Sequence, residues 1–192
     1  MNTTNIEKYL NSFGKEVIKN AKVNLSKAGK GGGNLQNSLD FEVIADSKGF
    51  EVKFYMANYG EFVDKGVKGA GGIIKSGKHK GSYGGRRHYI TWEGKRKDSP
   101  YRFGSGKGTG SIYKGIGAFI RKKGLQPRSE GGQFMTTAGL KIAIVKVLWV
   151  KGIHGISFFQ KPLGLAWKTF GEGLLDNLGK DIVITLNKTK IR

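Results

Sequence analysis

The sequence predicts an α+β fold: a small antiparallel or mixed β-sheet packed by two to four helices, with a long basic glycine-rich loop inserted. Three observations predict it. Apolar residues recur at helical spacing near the start, at 112–123 and again near the end. Two runs of strict alternation, Leu39–Ala45 and Phe50–Phe54, flank a polar turn. Between these patterned parts, residues 66–115 show almost no periodicity and carry 14 glycines. At 192 residues the chain is read as one α+β domain, residues 1–192, with 66–115 as an extension within it.

The first element is an amphipathic helix over 4–28. Ile6, Leu10, Phe13, Val17, Ala21, Leu25 and Ala28 fall on one face at spacings of three and four. Thr4 or Asn5 suits its N-cap and Gly29 its stop, while Gly14 inside it costs about 1 kcal/mol relative to alanine and admits a kink. A flexible link, Gly29–Gly33, leads to a hairpin: Leu39, Phe41, Val43 and Ala45 share one face, and Phe50, Val52 and Phe54 answer them across Asp46–Gly49. Residues 55–64 read as a short helix ended by Gly66.

Residues 66–115 hold 12 Lys and Arg against Glu93 and Asp98, a net +10, or half the protein's +20. Only His88–Glu93 looks like a strand there, and so long a loop inside a compact domain is characteristically functional or disordered. A second amphipathic helix spans 112–123, with Arg121–Lys123 at its C-terminal end and Gly124 after it. The apolar run 134–150 is rich in β-branched residues and fits a buried helix or a strand; its length favours the helix. A last helix is expected over 160–179 and a last strand over 181–186, so that the final third and the N-terminal helix supply most of the buried apolar surface.

Composition narrows the function classes. A chain with 34 Lys and Arg against 14 Asp and Glu repels itself when alone and attracts polyanions. Without cysteine it has no disulfide, no thiolate zinc ligand and no thiol nucleophile. The N-terminus is polar and unlike a secretory leader, and the longest apolar run is interrupted by Lys141 and Lys146, so the chain is expected to be soluble, with no membrane partner.

No catalytic constellation emerges. His79, His88 and His154 are scattered, which argues against a metal site. Neither Gly77-Lys78 nor Gly106-Lys107 is followed by Ser or Thr, so the phosphate-loop pattern fails, and residues 104–110 read as a basic tether. Glu61 with Asp64, and Glu172 with Asp176, lie one helical turn apart and suit capping or interface roles. The expectation is a protein that is not an enzyme, with no cofactor and no small-molecule substrate.

The residues expected to meet DNA or a partner are the cations of the basic loop: Lys75, Lys78, Lys80, Arg86, Arg87, Lys95, Arg96, Lys97, Arg102 and Lys107. Tyr83, Tyr89, Trp92, Tyr101 and Phe103 lie among them, suited either to stacking on bases or to lying on a neighbouring subunit. Tyr59, Phe62, Phe158, Phe159 and Trp167 are candidates for the core or a subunit interface.

The order of the pieces resembles the tail-completion, or head–tail joining, family of tailed bacteriophages. Gly33, Leu35 and Ser38 match its Gly-x-Leu-x-x-Ser lead into the first strand. Tyr55–Gly66 resembles its Tyr-Ala-x-x-x-Glu-x-Gly turn through Ala57 and Glu61, with Gly66 later than usual. Gly152, Ile153, Phe158, Phe159 and Pro162 match a Gly-Ile-x-x-x-x-Phe-Phe-x-x-Pro junction. The likeness covers residues 1–66 and 112–187; the family usually has a much shorter loop in place of 66–115. It implies an α+β virion subunit, made in the host cytoplasm. Its partners would be copies of itself in a sixfold or twelvefold ring, the portal or adaptor, and tail proteins, around the DNA channel. The alternative is a non-specific nucleic-acid-binding protein of ribosomal or nucleoid type, for which the charge and glycine content argue.

Overall fold

A computed structural model describes residues 4–46, 49–105, 112–126, 132 and 136–189. Among them are six helices and four two-stranded sheets, a mixed α/β fold in which no single larger sheet forms. The chain divides into two compact units, Met1–Asp64 with Ile90–Lys97 and Ile156–Arg192, and Lys65–Tyr89 with Asp98–Gly155.

The first unit is built on α1 (Thr4–Lys27), which packs against α6 (Gln160–Thr189) and the hairpin of β1 (Asp40–Asp46) and β2 (Gly49–Tyr55). The stripe anticipated on α1 is buried: Ile6, Leu10, Phe13, Val17, Ala21 and Leu25. Gly14 does not break the helix; a Cβ there would overlap the Phe41 ring, so the glycine makes room for the hairpin. The helix ends in a left-handed Gly29 (φ +68°), whose N–H donates to Ser26 O, while Lys30 N–H donates to Leu25 O.

The hairpin register is Phe41↔Phe54, Val43↔Val52 and Ala45↔Phe50, as the alternation requires. Its apolar face joins α1, the one-turn α2 (Asn34–Asn37) and the aromatic pair Phe158 and Phe159 in one core. Phe13 makes edge contacts with Phe54, Phe170 and Trp167 at ring-centre distances of 6.2, 5.7 and 6.4 Å. In residues 55–64 the helix is only α3 (Gly60–Lys65), because Tyr55 completes β2.

One expected element is corrected. Residues 181–186 lie within α6, which runs unbroken to Thr189, and are not a strand. Their β-branched run favours a strand only where a pairing edge exists. Here no Pro or turn cluster interrupts the helix that precedes them, and Gly179 alone does not stop it.

The second unit contains short strands where the sequence, apart from the strand-like His88–Glu93, shows only glycine and charge. These are β3 (Val67–Lys68), β4 (Gly72–Ile74), β5 (Gly81–Tyr83) and part of the pair β6 (His88–Ile90) and β7 (Arg96–Asp98). β3 pairs antiparallel with β8 (Gly152–Ile153), and β4 with β5. Gly152 (φ +80°) crosses β3 so closely that a Cβ would overlap Val67 O. α4 (Ile112–Lys123) and α5 (Thr137–Lys151) pack on each other, and Thr136 caps α5 by accepting from Gly139 N–H at 3.1 Å.

Candidate functional site

Two surface features stand out, one in each unit. α5 is apolar over most of its circumference, with Leu140, Ile142, Ile144, Val145, Val147, Leu148, Trp149 and Val150, yet only Val150 is buried. This departs from the expectation that the run 134–150 supplies core. Ile142 is 57% exposed and Trp149 40%, and on α4 Phe119 is 46% exposed. A helix apolar on all sides is normally enclosed. The α4–α5 hairpin is enclosed only in part: Ile120 and Val150 are buried, and Leu140, Ile144, Val145, Val147 and Leu148 are half-buried. Its charged residues are all basic: Lys114 and Arg121–Lys123 on α4, and Lys141, Lys146 and Lys151 on α5, with no carboxylate on either helix. Lys141 Nζ lies 3.6 Å from the Tyr113 ring centre, which ties the two helices together.

The first unit carries an open apolar groove of about 650 Å³. Ile6, Tyr9, Leu10 and Phe13 of α1 form one wall, and Phe50, Val52 and Phe54 of β2 the floor. The other wall is Leu163, Trp167, Phe170 and Leu174 of α6. Trp92, from the 90–97 tip, lies at one side, its ring 6.2 Å from that of Trp167. The tip is pinned there: Ile90 N–H donates to Ser157 Oγ at 2.8 Å and Trp92 N–H to Gln160 Oε1 at 3.1 Å. Gly164 leaves the notch into which the Trp92 carbonyl fits. Tyr9 is fixed by donating to Phe170 O at 2.7 Å, and its hydroxyl pKa is raised by desolvation and by Asp176 nearby.

The cations expected to act together are divided. Lys75, Lys78, Lys80, Arg86, Arg87 and Arg102 belong to the second unit, Lys95, Arg96 and Lys97 to the first, and Lys107 lies outside the described residues. All of the described ones except Arg87 are exposed; Lys95 pairs with Glu93 at 3.1 Å. Arg87 is half-buried, with its Nε enclosed and without a hydrogen-bond partner. Burial lowers its pKa. Burial also holds His154 below its ordinary value, with Arg87 and His88 adding to the effect. His88 Nδ1 faces Asp98 at 3.3 Å, and His79 Nδ1 faces Lys151 Nζ at 3.1 Å.

Of the aromatic candidates, Phe158 and Phe159 are core, whereas Tyr59, Phe62 and Trp167 are exposed. Asp64 is buried and accepts the Phe159 N–H at 2.8 Å, a cap at the N-terminus of α6 where the helix dipole favours a carboxylate. The buried hydroxyl of Ser99, which donates to Gly66 O at 2.7 Å, was not legible as a clamp in the sequence. Nor were the exposed α5 residues or the notch at Gly164, because nothing in one-dimensional spacing tells a covered apolar face from an open one. No group of three or more His, Asp or Glu able to hold a metal occurs among the described residues, and no described helix is long and apolar enough to cross a membrane.

Compared with models of known families, with curated proteins and with solved structures, the chain finds no match.

Proposed function

We propose that this chain is a structural subunit of the neck of a tailed bacteriophage. It closes with copies of itself into a sixfold or twelvefold ring between portal and tail, around the DNA channel. The observation that carries the assembly is α5, a helix apolar on nearly every side in which Val150 alone is fully buried while Ile142 and Trp149 stand exposed. Burying such a face against a neighbour recovers roughly 25 cal/mol for each Å² of apolar surface removed from water, a gain open to an assembled chain and not to an isolated one. The phage context rests on the motif order around Gly33–Ser38, Ala57–Glu61 and Gly152–Pro162. In that setting the exposed Lys75, Lys78, Lys80 and Arg86 face DNA or an acidic neighbour, and the role is structural, with no reaction.

The second reading, a non-specific nucleic-acid binder, is favoured by one observation: the second unit carries 17 Lys and Arg against two acidic residues. Electron microscopy separates the two. The ring reading requires annular particles of the purified protein, and ring density containing it at the portal–tail junction of virions. A monomer absent from particles, whose binding to duplex DNA collapses steeply with salt, overturns it in favour of the second reading.

A further inference from the structure

The hairpin of β4 and β5 ends in a tip, residues 75–80, that reads Lys-Ser-Gly-Lys-His-Lys. Every residue of the tip is exposed, and it holds no carboxylate and no apolar side chain. The one exposed aliphatic residue of the hairpin, Ile73, stands on the strand below. Among the described residues no Asp or Glu pairs with Lys75, Lys78 or Lys80.

The tip is nonetheless held in one shape. Gly77 takes a left-handed turn (φ +81°), and Lys80 N–H donates to Gly77 O at 2.9 Å. The Tyr83 hydroxyl donates to His79 O at 2.9 Å. Lys151, at the end of α5, places its Nζ 3.1 Å from His79 Nδ1 and 4.3 Å from the Tyr83 ring centre. At the base of the hairpin Ile74 is buried, and the Ala70 and Gly71 N–H groups donate to Trp149 O and Val150 O. A tip ordered in this way loses less conformational entropy when it meets a partner.

We infer that the 75–80 tip grips the phosphate backbone of duplex DNA without reading its sequence. The inference rests on the reading that these cations face DNA or an acidic neighbour, and it decides between the two. Contacts between proteins are built around apolar and aromatic side chains and are depleted of lysine, whereas the tip has three lysines and nothing apolar. Phosphate oxygens are met by lysine, serine and backbone N–H groups, which is what this turn presents. Tyr83, at its foot, is engaged by Lys151 and by its own hydrogen bond, so the tip offers charge rather than a free ring for an unpaired base. The surroundings agree: the second unit has 17 Lys and Arg against two acidic residues, and one of those, Asp98, already faces His88.

The test follows binding of the full chain to a labelled duplex by fluorescence anisotropy across a salt series. A triple variant, Lys75→Gln with Lys78→Gln and Lys80→Gln, is set against Lys95→Gln with Arg96→Gln and Lys97→Gln, which removes the same charge from the first unit. Circular dichroism establishes that both fold. The plot of log affinity against log salt is expected to be shallower by about 2.7 for the tip variant, three contacts at about 0.9 each, and to run parallel to wild type for the control. Two duplexes of unrelated sequence are expected to bind alike, and poly-glutamate of matched charge to compete poorly.

A tip variant whose slope changes no more than the control's overturns the inference. A wild-type chain that prefers poly-glutamate overturns it in favour of an acidic protein neighbour, and one that prefers single-stranded DNA does so in favour of base stacking. The mass of the wild type, measured by sedimentation on the same samples, separates this from the ring. A ring that does not bind duplex overturns the inference alone, and a monomer whose duplex binding depends on the tip overturns the ring alone.

Discussion

The seat of the 90–97 tip on α6 can be tested by two alanines in one helix. At Gly164 a Cβ would overlap the Trp92 carbonyl, whereas at Gly171 a Cβ would meet nothing within 4 Å. Replacing a helix-interior glycine with alanine gains about 1 kcal/mol of helix propensity at either site. At 171 that gain stands alone, so Gly171→Ala is expected to raise the melting temperature by about 2–4 °C for a chain of this size. At 164 the tip must lift. Two hydrogen bonds, Ile90 N–H to Ser157 Oγ and Trp92 N–H to Gln160 Oε1, are then strained or lost. They contribute about 1 kcal/mol each. The Trp92–Trp167 edge contact adds about 0.5–1.5 kcal/mol. Against the propensity gain the balance is a loss of about 1.5–2.5 kcal/mol, a fall of roughly 3–10 °C, with tryptophan emission shifted to the red. Thermal unfolding followed by circular dichroism and fluorescence reads both. A Gly164→Ala protein as stable as Gly171→Ala would refute the seating of Trp92 on α6.

Other perturbations probe different parts. Asp64→Ala removes the buried acceptor of Phe159 N–H and is expected to cost about 2–3 kcal/mol in chemical denaturation, with Asp64→Asn, which keeps a carbonyl oxygen, costing less. Gly152→Ala forces a side chain into φ +80° against Val67 O, and is expected to raise hydrogen exchange at Val67 and Ile153 well above wild type while leaving the first unit protected. The depressed pKa of His154 means that the unfolded chain takes up its proton first. Its contribution to stability is full above about pH 6.5 and is lost as the pH falls toward the lower folded value, so His154→Gln is expected to flatten the stability profile below about pH 6.5.

The patterned ends of the chain were legible because side-chain periodicity reports the face that is covered. The stripe from Ile6 to Leu25 and the alternation from Phe41 to Phe54 placed α1 and the hairpin almost to the residue. The same logic failed where periodicity carries no information. In 66–105 the short strands are held by backbone crossings at glycines such as Gly152 against Val67, which leave no mark on side-chain spacing. Residues 181–186 misled because β-branched residues signal a strand only if an edge awaits them, and in this fold they prolong α6. At the candidate surfaces, the sequence showed that α5 was apolar but not that it lay open, and it grouped cations that the fold divides between two units. The groove combines residues from four separated segments, and Trp92, drawn from the basic stretch, is one that no spacing rule connects to α6.

The most direct test of the central claim is the mass of the wild-type protein in solution, measured by sedimentation equilibrium at physiological salt across a range of concentrations. The chain weighs 21.0 kDa. A closed ring predicts a discrete species of six or twelve times that mass, persisting on dilution. A protein that remains at 21.0 kDa at every concentration contradicts it.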